Sequence, residues 1–206
     1  MEEQSVVFLI GPPSIGKSTY IKSAFDPSNT IVISRDDIVQ ATASSHGLQY
    51  DDLFEYPPKD LILNLNTKIN STLYSSFESA LSSGKNVVID MTNMSKYVRN
   101  KFIELINPGI KKIAVVFNFS DSDTLDIIKK VAEKRRLEDL KKGLKKTIPL
   151  NVFEKMINNY EPPTKSEGFD EIKYIDTLPQ LRKIANEINE NTLRKYVRFT
   201  LNELEN

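Results

Sequence analysis

Between an apolar run, Ser5–Ile10 (SVVFLI), and a helix-forming stretch lies Gly11-Pro12-Pro13-Ser14-Ile15-Gly16-Lys17-Ser18, followed by Thr19. The spacing G-x-x-x-x-G-K-[ST], with a strand before it and a helix after it, constrains this chain more than any other feature. Gly11 and Gly16 let the backbone wrap an anion, so consecutive N–H groups and the helix N-terminus face nucleotide phosphates. Residues 11–19 are therefore the expected nucleoside triphosphate site, with Pro12, Pro13, Ser14, Ile15 and Thr19 forming its walls. Lys17, at an exposed helix start, is expected to reach the outer phosphates, and the Ser18 hydroxyl to meet Mg2+.

The rest of the chain alternates strand and helix. Apolar runs at Thr30–Ser34, Asn86–Asp90, Lys111–Phe119 and Glu171–Ile175 predict four more strands. Helices fit Lys17–Phe25, Asp60–Ser83, Ser95–Leu105, Asp121–Lys142 and Leu150–Asn159; in the second, Leu61, Leu65, Ile69, Leu73 and Phe77 share one face. That alternation predicts an α/β fold, a five-stranded parallel sheet flanked by helices. Thr42–Pro58 reads as an irregular excursion whose Tyr50, Phe54 and Tyr56 either stack on an acceptor base or pack on the domain. The expected organisation is a domain over 1–176 and a C-terminal helical extension over 177–206. The extension's amphipathic face calls for a partner surface, in its own domain or in another copy of the chain.

Elimination narrows the chemistry. There are no cysteines and one histidine, His46, which removes thiol nucleophiles, Cys-ligated metals and multi-His sites. Carboxylates, lysines, arginines and hydroxyls remain. In a parallel sheet, strand carboxyl ends lie on the ligand side, which singles out Arg35, Asp36 and Asp37 after the second strand and Asp90, Thr92 and Asn93 after the third. Asp36 is the candidate general base toward an acceptor hydroxyl. The alternative is that Asp36 and Asp37 cap a helix beginning at Ile38. Asp90 is the candidate for organising the water shell of Mg2+. Arg35, Asp37, Thr92 and Asn93 are candidate acceptor contacts, with helix capping as the other reading for Thr92 and Asn93.

Net charge is zero, but residues 129–146 hold nine Lys/Arg against three Asp/Glu. The stretch is either a solvated helix face, a lid over the transferring phosphate, or a track for a polynucleotide backbone. Arg135 and Arg136 are the favoured lid residues and Lys142 the next choice.

GPPSIGKST, SRDD, GKNVVIDMTN, IPLNVFEKM and YEPPTKSEGFDEI, in this order, resemble the kinase domain of 5′-polynucleotide kinases of bacteriophages and eukaryotes. The resemblance spans roughly residues 5–175. It implies ATP and Mg2+ at Lys17 and Ser18, Asp36 as base for a nucleic acid 5′-hydroxyl, and Glu161–Asp170 beside the nucleotide base. Two positions depart from the bacteriophage pattern: Val39 stands where a basic residue follows the base, and Lys142 stands where arginine precedes a glycine. The acidic start MEEQSVVFLI differs from a secretory signal, and no apolar run spans a membrane, so a cytoplasmic protein is expected.

Overall fold

A computed structural model describes residues 3–53, 59–119, 122–144 and 150–186. Five strands, β1 (Ser5–Ile10), β2 (Thr30–Ser34), β3 (Asn86–Asp90), β4 (Lys111–Phe117) and β5 (Glu171–Ile175), form one sheet in the order β2-β3-β1-β4-β5. Every neighbouring pair is parallel. The helices are α1 (Lys17–Ala24), α2 (Arg35–Ser45), α3 (Lys59–Ser82), α4 (Lys96–Ile103), α5 (Ser122–Lys141), α6 (Leu150–Asn158) and α7 (Leu178–Asn186).

The strand period of two divides β1 between two cores. Val6, Phe8 and Ile10 face Phe77 of α3, Phe102 of α4 and Phe169. Val7 and Leu9 face Ile128 and Val131 of α5, Phe153 of α6 and Leu181 of α7. A strand covered on both faces has no polar alternation, which is why SVVFLI reads as a continuous apolar run. α7 buries Leu178, Leu181 and Ala185 and packs on α5, so its apolar stripe is covered by its own domain. The remainder of the expected extension, 187–206, lies outside the described residues, as do Phe54 and Tyr56.

Several local expectations need correction. α2 starts at Arg35, not Ile38, because the Ser34 hydroxyl caps it by accepting the Asp37 N–H at 3.2 Å. Ser95, rather than Thr92 or Asn93, caps α4 by accepting the Val98 N–H at 3.3 Å. In α3, Leu65, Ile69, Leu73 and Phe77 are buried but Leu61 is exposed. β4 ends at Phe117, two residues early, and Phe119 leaves the ladder to pack edge-on against Tyr160. Of the expected excursion, Thr42–Ser45 belongs to α2, and Tyr50 and Leu53 are buried with Val39, Ala43, Leu65 and Ile69.

Arg99 of α4 is fully buried and clamps the segment before β5. Its Nε and Nη2 donate to the two Glu167 carboxylate oxygens, each at 2.8 Å, and its Nη1 donates to Glu161 O at 2.8 Å. Burial alone pushes the Glu167 carboxyl up, but the Arg99 hydrogen bonds and the Thr164 N–H outweigh it and hold it below the usual glutamate range. Such a pair contributes stability above the free glutamate's pKa of about 4.3 and loses it as pH falls through the lower folded value. Glu167→Gln leaves Arg99 buried without its counter-charge and should cost on the order of 3 kcal/mol. Urea unfolding at pH 7 measures this, and the gap between the two proteins should close in acid.

Candidate active site

The loop after β1 has the shape that its sequence demands. A side chain at Gly11 would place its Cβ 3.1 Å from Phe117 Cβ and 3.2 Å from Ile15 Cγ2, so only glycine passes there. Gly16, at the start of α1, has φ +105°, a left-handed conformation that L side chains resist. The Gly11 N–H donates to Thr92 O at 3.0 Å, and Thr177 Oγ1 donates to Ile15 O at 2.7 Å. The loop is thus tied to the residues following β3 and β5.

Lys17 departs from the exposed position expected of it. It is buried, and its Nζ donates to Gly11 O at 2.9 Å and Pro12 O at 2.8 Å. Burial lowers its pKa to about 8; the charges of Asp90 and Asp36 oppose that shift and the charge of Arg135 adds to it. One ammonium therefore feels a carboxylate from the end of β3, another from the first turn of α2, and a guanidinium from α5. A buried cation whose hydrogen bonds, among the described residues, go to carbonyl oxygens of its own loop suits the phosphates of a nucleotide. Ser18 and Thr19 are exposed on the first turn of α1. Among the described residues no cluster of three His, Cys, Asp or Glu is arranged around a metal position. A Mg2+ held by Ser18 and Asp90 would take its other ligands from phosphates and water, as this ion ordinarily does.

Beyond the carboxyl end of β2, Asp36 and Asp37 are exposed in the first turn of α2 and Arg35 is half-buried. Asp36 Oδ1 accepts a hydrogen bond from the Tyr50 hydroxyl at 3.2 Å. Burial, then the Asp36 charge, pushes the Tyr50 phenol up, so it remains a donor. Thr92 is half-buried and contributes its carbonyl to the loop. Asn93 does not reach the acceptor side. Fully buried at φ +48°, it donates from Nδ2 to Leu9 O at 2.9 Å and Ile89 O at 3.2 Å, stapling β1 to β3. Val39 is fully buried.

The geometry separates the two candidate lid arginines. Thr124, Ile128 and Val131 are buried at helical spacing on α5, as is Leu137 beyond them, and Arg135, at the next position of that spacing, is exposed. Arg136 is turned by about 100° and its guanidinium is paired with Glu133 at 2.6 and 2.8 Å. Lys141 and Lys142 are exposed further along. Arg135→Ala should therefore lower turnover by roughly 10²-fold while ATP affinity changes little, and Arg136→Ala should stay within about twofold of wild type. Steady-state kinetics on both variants checks the pair.

Glu161–Asp170 turns away from the loop. Glu161 meets the start of α4, its N–H donating to Met94 O at 2.9 Å, but Asp170 accepts the Lys112 N–H at 2.7 Å at the amino end of β4. Asp170 thus lies at the amino end of the sheet, while Glu161 stays with Met94 beyond the carboxyl end of β3. Thr177 occupies the ligand end instead; it follows a parallel strand, so the strand-end rule that singled out Asp36 and Asp90 points to it as well.

A family model for the AAA domain matches residues 6–163. A comparison with curated proteins finds no match. Among solved structures, a protein of Chloroflexus aurantiacus provisionally described as a kinase is 14% identical over 98% of both chains, with a TM-score of 0.55. A protein of the Pnkp1/Rnl/Hen1 RNA repair complex is 19% identical over 77% of this chain, with a TM-score of 0.55. The chain spans only 44% of that protein's length. A sugar kinase from Janibacter is 15% identical over 88% of this chain and 92% of its own, with a TM-score of 0.51. At these identities the likeness establishes a fold, that of the P-loop kinases. Among the described residues no helix is long and apolar enough to cross a membrane.

Proposed function

The chain belongs to the AAA domain family, and on that premise we propose that it is a kinase moving the γ-phosphoryl group of ATP to a 5′-hydroxyl of a nucleic acid end. One arrangement carries the kinase reading: Asp90, in register with Ser34, and Asp36 in the turn that follows it stand at neighbouring strand ends, beside a phosphate loop whose Lys17 is buried and whose Gly11 is bonded to Thr92 O. A nucleotide switch needs the loop and the metal carboxylate. It has no use for a carboxylate at the end of β2, where an acceptor hydroxyl can approach.

The chemistry follows from that placement. Asp36 takes the proton from the acceptor hydroxyl as its oxygen bonds to the γ-phosphorus. The bond from that phosphorus to the β–γ bridging oxygen breaks, and ADP leaves. Lys17 and Arg135 balance the charge that spreads over the equatorial oxygens. Bound Mg2+ supplies further neutralisation of the phosphates. The nucleic acid acceptor rests on the ordered motifs SRDD, VVIDMTN and EPPTKSEGFDEI, and the fold shared with an RNA repair protein agrees with it.

A specific observation favours a second reading, a small hydroxyl acceptor such as a sugar. Val39, standing where bacteriophage polynucleotide kinases carry a cation, is sealed in an apolar cluster and offers nothing to an acceptor phosphate. ATP labelled in the γ-phosphate, offered in parallel to 5′-hydroxyl oligonucleotides, nucleosides and sugars, separates the two. Label on oligonucleotides with a Michaelis constant rising steeply with salt supports the first reading. Label on a sugar alone supports the second. ATP consumption with no acceptor labelled would overturn both.

A further inference from the structure

We propose that Tyr50 is a positioning residue for phosphoryl transfer, orienting the carboxylate that receives the acceptor proton. The inference rests on the assignment of Asp36 as base. An exposed aspartate in a first helical turn has several rotamers of similar energy, and only some aim a carboxylate oxygen at an incoming hydroxyl. A group that must be oriented before reaction loses rate for every unproductive orientation that it visits. Tyr50 removes part of that freedom by donating to Asp36 Oδ1 at 3.2 Å.

What makes the contact directional is how firmly the phenol is seated. The chain folds back after α2, with Leu48 N–H donating to Ala43 O at 3.0 Å, and enters a short 3-10 turn at Asp51–Leu53. The Tyr50 ring is buried among Val39, Ala43, Leu53, Leu65 and Ile69, on α2 and α3. The hydroxyl meets the helical turn that carries Asp36. Phenol and carboxylate thus have different anchors: the ring is fixed by a core and the carboxylate is fixed by the ring. The next residue, Asp51, is buried, and behind the Glu133 hydrogen bond its charge raises the Arg136 pKa.

Tyr50→Phe keeps the ring in its pocket and deletes the donor alone. It should lower turnover roughly tenfold, the scale of one charge-assisted hydrogen bond used for orientation. The Michaelis constant for ATP should stay within about twofold, and the thermal midpoint within a few degrees. A packing role is separated by repeating the change in an Asp36→Asn background, where the residual turnover should show no further loss. Wild-type turnover in Tyr50→Phe overturns the proposal. So does an equal fractional loss in both backgrounds, because Tyr50 would then act through something other than Asp36. If Asp36→Asn by itself turns over like wild type, the assignment of the base fails first and takes this inference with it. Should Tyr50→Phe melt well below wild type, Tyr50→His, which restores a donor on a ring, must recover turnover relative to the phenylalanine variant; failure to do so overturns the proposal.

Discussion

Lys17→Met should remove roughly 10²–10³-fold of turnover, the loss typical of deleting a preorganised group that meets transition-state charge. The same variant should fold with a thermal midpoint within a few degrees of wild type. That combination follows from where the ammonium sits. Its loss leaves Gly11 O and Pro12 O without their donor, which is destabilising. It also removes a charge from a buried position, which is stabilising, and a methionine stem fills the same space. The pKa supplies an independent check. Because folding lowers it to about 8, the unfolded chain holds this proton more tightly, so the lysine makes stability rise with pH between about 8 and the free value near 10.4. That rise should vanish in Lys17→Met. A variant keeping more than about a tenth of wild-type turnover would remove the phosphate loop from the mechanism.

The second large effect belongs to Asp36→Asn, expected at roughly 10²–10⁴ in turnover with ATP affinity near wild type, since a base acts on the acceptor. Asp37→Asn should be far milder: the first turn of α2 is held by the Ser34 hydroxyl on the Asp37 N–H, not by the Asp37 side chain. Single-turnover labelling of the acceptor, with nucleotide binding measured separately, decides between the neighbours. If the two effects are exchanged, Asp37 is the base.

What was legible in the sequence shares one property: it depends on residues near each other along the chain. The phosphate loop is a local motif, and the β1, β2, β3 and β5 boundaries follow from short apolar runs. Charges at strand ends were legible too, because a parallel sheet sends all such ends to one side. What escaped depends on pairs far apart. The charges that act on Lys17 come from Asp90, Asp36 and Arg135, a set that no single segment encodes. Arg99 reads as one more helix cation until Glu167 arrives 68 positions later. Arg135 and Arg136 are equivalent in composition, and what tells them apart is that the charge of Arg135, on a helix distant in sequence, acts on Lys17. Asn93 resembled a cap because Asn favours caps; its amide instead bridges two strands that the chain visits far apart. Tyr50 was open between stacking and packing; its ring packs, and the reach of its hydroxyl back to Asp36 needs the fold-back after α2.

The hydrogen bond from Thr177 to Ile15, between residues 162 positions apart, also has a consequence for the order in which the protein can be made. The glycine loop is synthesised among the first residues, yet the contact that ties its carbonyl waits for a strand at the sheet's far edge. Contacts of such separation form late, because the chain entropy lost in closing them is recovered only when the intervening strands have docked. A nascent chain that has not yet reached residue 177 therefore carries the nucleotide motif without its full support. Nucleotide affinity during synthesis should switch on with the docking of β5 rather than with the appearance of the motif, which makes ligand capture a reporter of the last step of assembly.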